Sequence, residues 1–126
     1  MEVDPYLKIA LVDDNKDDWI LFLESVKEFN IRTECFLGKE DFDKNTDSSL
    51  FDFVFIDFTL HGAKEIVRDL VKKAEAKVVF ISNENFPIDN KYTKDKTIWG
   101  LIRKSNVVRI RNFFKARIYE KSHNLL

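Results

Sequence analysis

The chain has 126 residues, carries 21 Lys plus Arg against 22 Asp plus Glu for a formal net charge of −1, and is 44% hydrophobic. That length suits one domain rather than two, and the apolar share supplies a core that disordered chains lack, while 12 Phe against 3 Gly and 2 Pro exclude collagen-like, low-complexity and linker-rich architectures. The lone Cys35 excludes an internal disulfide framework and, with no signal-like N-terminal segment, points to a reducing, cytoplasmic setting; no apolar run approaches the roughly 20 residues of a membrane span.

Tyr6 to Val12 is a short apolar run rich in strand formers that stops abruptly at Asp13-Asp14-Asn15. From Asp17 to Phe29 the residues Trp19, Phe22, Leu23, Val26 and Phe29 recur at helical spacing. Asn15 is available as N-cap, and Asp17 and Asp18 lie in the first turn, where the dipole favours anions. Ile31 to Phe36 alternates weakly as a second strand, and Gly38 to Ser49 is polar with a short helix near Lys39 to Phe42. Phe51 to Phe58 is the strongest strand signal, a run suited to burial on both faces of a parallel sheet, with Asp57 near its end. Ala63, Ile66, Val67, Leu70, Val71 and Ala74 define an amphipathic helix. Lys77 to Ile81 is a fourth strand ending at Ser82-Asn83, and residues 84–97 read as a loop or a poorly formed helix. Ile98 to Ile102 is a fifth strand running into Arg103-Lys104-Ser105. Val107, Ile110, Phe114 and Ile118 mark a last helix capped by Ser105 or Asn106.

Five strands alternating with helices imply right-handed crossovers, a parallel sheet and helices on both faces, a doubly wound α/β fold. In such sheets the functional crevice lies outside the carboxyl ends of the strands. Those ends carry Asp13 and Asp14, then Asp57, then Ser82, then Lys104. Carboxylates held together repel one another unless a cation neutralises them, and an oxygen-only set with no His or Cys pattern favours Mg²⁺. A hydroxyl from Ser82 and an ammonium from Lys104 suit an incoming phosphoryl group, with Asp57 as the nucleophile that forms an aspartyl phosphate.

Val12-Asp13-Asp14, Asp57 at the end of VFID, Ser82 at the end of VVFIS and Lys104 after the fifth strand together resemble the receiver domain of bacterial two-component response regulators, over essentially the whole chain. The resemblance implies a flavodoxin-like sheet of order 2-1-3-4-5 and a single receiver domain over residues 1–126. It also implies Mg²⁺ held directly by Asp14 and Asp57, by Asp13 largely through water, and by the backbone carbonyl of Thr59. Phosphoryl would pass to Asp57 from a histidine kinase or a histidine phosphotransfer protein. Such a chain catalyses at most its own phosphorylation and dephosphorylation and signals by binding a downstream protein rather than nucleic acid. No residues are left for an output domain, although one could follow Leu126 in a longer protein.

The sequence also departs from that pattern. No proline follows Asp57 in Phe58-Thr59-Leu60-His61-Gly62, and Gly62 comes early. Asn83 stands where a very small residue is usual, and is expected to narrow the entrance. Lys104 is followed by Ser105 instead of a proline in the cis form, which for Ser would cost roughly 2.5–4 kcal/mol. Leu101 replaces the aromatic switch residue, and the family's fourth helix falls in the poorly patterned 84–97 stretch. The acceptor set is therefore better kept than the switch, and the expectation is slow phosphorylation or output through another surface. Two other readings stay open: a phosphorylation-independent pseudo-receiver acting as an interaction module, and a Mg²⁺-dependent phosphatase on a similar fold. Residues 1–60 hold 15 acidic and 6 basic side chains, and residues 61–126 hold 7 and 15. The basic C-terminal residues Arg103, Lys104, Arg109, Arg111, Lys115, Arg117 and Lys121 read as the solvated face of the last helix, Cys35 as a small buried hydrophobe, His61 as an exposed loop residue, and Trp19 and Trp99 as packing residues.

Overall fold

The computed structural model describes residues 6–45, 47–73, 77–84 and 96–126. In chain order it runs β1 (Leu7–Val12), α1 (Lys16–Val26), β2 (Ile31–Phe36), α2 (Lys39–Asn45), a 3₁₀ turn at Ser48–Leu50, β3 (Phe53–Asp57), α3 (Ala63–Lys73), β4 (Lys77–Ser82), β5 (Ile98–Arg103) and a C-terminal helix, Val107–Ser122. The sheet is parallel throughout, in the order β2-β1-β3-β4-β5. The doubly wound topology expected from the alternation of elements is the one found. The segment expected to be a loop or poor helix, and the end of the third helix at Ala74, lie largely or wholly outside the described residues.

Strand periodicity sorts the side chains into two cores. Ala10, Val12, Val54, Ile56, Val78 and Phe80 meet Phe42 of α2 and Ala63, Ile66 and Leu70 of α3. Their sequence neighbours Ile9, Leu11, Phe53, Phe55, Val79 and Ile81 meet Phe22 and Val26 of α1 and Ile110 and Phe114 of the C-terminal helix. Beyond Lys8 and Lys77 near their starts, the central strands bury both faces, which is why they read as nearly continuous apolar runs. Phe55 lies edge-on to Phe22 at 5.2 Å and stacks on Phe114 at 5.4 Å. Fully burying such a ring removes apolar surface worth about 1.5–3 kcal/mol.

Helix α1 starts as expected, with the Asn15 side chain accepting from the Asp17 and Asp18 amides, but ends at Val26 rather than at Phe29. Phe29 reaches the same core from the following turn and packs against Phe114 at 6.3 Å, so it keeps the helical hydrophobic phase without helical backbone. Cys35 is half-buried on the edge strand β2, not fully buried, because β2 has a neighbour on one side only. The C-terminal helix is capped by Asn106, whose side chain accepts from the Arg109 amide.

Candidate functional site

The strand ends converge as the topology demands. Asp13 directly follows β1 and is fully buried; its carboxylate Oδ1 accepts from the Asn15 amide at 3.0 Å, and its backbone carbonyl accepts from the Trp19 indole at 2.6 Å. Asp57 closes β3. The Thr59 amide and hydroxyl both donate to its Oδ1, at 2.9 and 2.8 Å, so the turn after the strand holds one carboxylate oxygen in a fixed place. Asp14 is exposed beside them, and one carboxylate oxygen from each of Asp13, Asp14 and Asp57 lies within 4.8 Å of the others.

Lys104 completes the group. Its amide donates to the Ser82 carbonyl at 2.8 Å, which prolongs the β4–β5 ladder and sends the side chain into the crevice. There the ammonium lies 2.6 Å from Asp13 Oδ2, 2.7 Å from Asp18 Oδ2 and 2.9 Å from Asp57 Oδ2. No described peptide bond is cis, so Lys104 reaches the carboxylates with an ordinary link to Ser105. Ser82 is buried at the end of β4, and its hydroxyl oxygen accepts from the Glu84 amide at 3.0 Å, which leaves its own hydrogen to donate.

Electrostatics separate the two buried acids. Burial pushes the Asp13 carboxyl up from its ordinary value, against the pull of Lys104 and the Asn15 amide. Burial works the same way on Asp57, but there the bonds from Lys104 and Thr59 prevail and hold the carboxyl below its ordinary value. Lys104 is desolvated too, yet its carboxylate partners raise its pKa and keep it charged. One ammonium among Asp13, Asp14, Asp18 and Asp57 leaves excess negative charge. Asp13 Oδ2 is buried and lies 2.6 Å from the Lys104 ammonium. A hard oxygen-only set with one open, exposed member suits a divalent cation of the Mg²⁺ class.

Of the five residues that the sequence assigns to one crevice, Asp13, Asp14, Asp57 and Lys104 lie together, and Ser82 is buried at the end of β4. The sequence marks Asp18 only as a first-turn acid. The available signal was its position three residues after the N-cap, where an acid commonly turns back to the cap's own amide. That amide is already bonded to Asp13, so Asp18 is released toward Lys104. Asn83 is exposed, and its side-chain amide donates to Asp18 Oδ2 at 3.3 Å. His61 is exposed, as expected. The basic C-terminal residues are less free than expected: Arg111 pairs with Glu28, Arg117 with Glu120 and Lys121 with Asp52. Trp19 and Trp99 are half-buried against the core.

No protein-family model matches the sequence, and no curated protein matches it. Solved structures do match. The response regulator receiver protein of Pseudoalteromonas atlantica superposes with a TM-score of 0.76 at 17% identity, covering 89% of this chain and 97% of its own. A CheY-like response regulator receiver domain protein of Methanospirillum hungatei gives 0.73 at 12% identity, covering 94% and 98%. The BeF3-activated DrrB receiver domain gives 0.70 at 24% identity, covering 90% and 97%. The chain has the receiver fold. Among the described residues no helix is long and apolar enough to cross a membrane.

Proposed function

We propose that the chain is a response-regulator receiver, a single domain over residues 1–126, that accepts a phosphoryl group on Asp57 from a phosphohistidine donor and signals by protein–protein contact. The observation that carries this reading is the carboxylate of Asp57, ionised, held at Oδ1 by Thr59 and contacted at Oδ2 by Lys104, within 4.8 Å of two further acids. An Asp57 oxygen attacks phosphorus, the P–O bond forms as the P–N bond of the donor breaks, and the electron pair returns to the imidazole. Asp13, Asp14, Asp57 and the Thr59 carbonyl would hold Mg²⁺, which when bound neutralises carboxylate and phosphoryl oxygens. Lys104 supplies a point charge to the transferred group, and the Ser82 hydroxyl supplies a hydrogen bond. Leu101, packed against the core that holds Phe80, has no hydroxyl or ring to report the event, so output is expected through another surface.

Intact mass after incubation with Mg²⁺ and acetyl phosphate tests the reading. A Mg²⁺-dependent gain of one phosphoryl, about 80 Da, that vanishes in Asp57→Asn supports it. No adduct together with no Mg²⁺ binding would move the chain to the pseudo-receiver class. Turnover of an unrelated phosphoester would instead revive the phosphatase.

A further inference from the structure

Three carboxylates share Lys104, and one of them has no part in the acceptor chemistry above. Asp18 comes from the first turn of α1, 86 residues from Lys104 in sequence, yet its Oδ2 lies 2.7 Å from the ammonium. Both side chains are nearly out of water, Lys104 9% and Asp18 12% exposed. Asn83 steadies the same oxygen from the end of β4. Asp18 is thus a built contact and not a solvated helix-end acid.

The metal-free site also contains a conflict. The ammonium already sits 2.6 Å from Asp13 and 2.9 Å from Asp57, two of the acids whose oxygens cluster for a cation. A divalent cation entering that cluster competes with Lys104 for the same two carboxylates and repels it at short range. Without another partner, Lys104 would have to give up both pairs for nothing. Asp18 is that partner, because its carboxylate contacts Lys104 without belonging to the Asp13, Asp14 and Asp57 group.

We propose that Asp18 is a positioning residue, a second anchor that keeps Lys104 at the crevice when a divalent cation takes Asp13 and Asp57 from it. The inference rests on the metal-dependent acceptor reading. It explains why the ammonium has three carboxylate partners where one would neutralise it. It also assigns Asn83 a use, since its amide bonds the same oxygen that anchors the lysine.

The competing account is that Asp18 merely adds negative charge near the cation, and a double-mutant cycle separates the two. Mg²⁺ alone is titrated calorimetrically into the unphosphorylated full chain, as wild type, Asp18→Asn, Lys104→Met and the double variant. The expected result is about tenfold weaker Mg²⁺ binding in Asp18→Asn, and less than about twofold change from the same substitution once Lys104 is Met. Equal losses in both backgrounds would mean bare charge and overturn the proposal, as would no loss in Asp18→Asn. A second readout needs no Lys104 variant, should that one fail to fold. The ¹⁵N-labelled Lys104 ammonium should stay protected from solvent exchange in Mg²⁺-loaded wild type and lose that protection in Mg²⁺-loaded Asp18→Asn. An equally protected signal in both overturns Asp18 while leaving Asp57 as acceptor. A wild type that takes up no Mg²⁺ and no phosphoryl overturns the acceptor reading itself and this inference with it.

Discussion

At the carboxyl end of the sheet one ammonium serves Asp13, Asp18 and Asp57, all nearly withdrawn from water, whereas at the amino end two ion pairs each match one cation with one acid and keep a share of solvent. There Lys121 pairs with Asp52 at 3.1 Å, and Arg117 pairs with Glu120 at 2.7 Å. Lys77 and Arg117 also lie over the ring of Trp99, at 4.8 and 5.4 Å from its centroid. The amino end is arranged for stability, with cations on aromatic faces and ion pairs matched one to one. The carboxyl end keeps unneutralised charge that the fold has to hold in place, an arrangement typical of sites awaiting a ligand.

The largest test of that contrast is Lys104→Met. Removing the shared ammonium leaves buried carboxylates uncompensated, and urea unfolding of the metal-free protein should show a loss of about 3–5 kcal/mol, partly restored by Mg²⁺. Next come the two acids themselves, for which opposite signs are expected. Folding disfavours the charge on Asp13 and favours it on Asp57. Asp13→Asn should therefore raise stability by about 1 kcal/mol, and Asp57→Asn should lower it by less than that. Matching signs in metal-free unfolding curves would refute the separation of the two carboxylates.

At the amino end, Lys77→Met removes one cation from the Trp99 ring and should cost about 0.5–1 kcal/mol in a thermal melt. It should leave Mg²⁺ affinity unchanged; a change there would show that the two ends are coupled. The same Lys104 contribution can be titrated away in alkali. The folded-state pKa of Lys104 is raised above its ordinary 10.5, so folding favours the charged form. That stabilisation is whole below 10.5 and is lost as pH rises through the higher folded value. The gap in urea midpoint between wild type and Lys104→Met should hold steady up to 10.5 and narrow as the pH climbs beyond it.

Much of this site is legible in the amino-acid sequence. Asp13, Asp57 and Ser82 stand where apolar strand runs end, and in a parallel α/β sheet strand ends must gather on one edge. Asn15 was legible as a cap for a similarly local reason, since an N-cap bonds amides two and three residues on. The end of α1 was misplaced because Phe29 keeps the hydrophobic phase after the helical hydrogen bonds stop. Asp18 was hidden differently: a first-turn acid already has an adequate explanation in the helix dipole, so nothing local asks for a second.

The elements, their faces and the acids at their ends therefore follow from local patterning, because hydrophobic period and capping act over a few residues. How charge is shared among those acids follows from the packed fold. Strand order sets β1 beside β3 and β4 beside β5, and the packing of α1 on the same face as the C-terminal helix brings Asp18 within reach of a lysine 86 residues away. Coulomb energy depends on those distances and on burial, and neither is written in the spacing of residues along the chain.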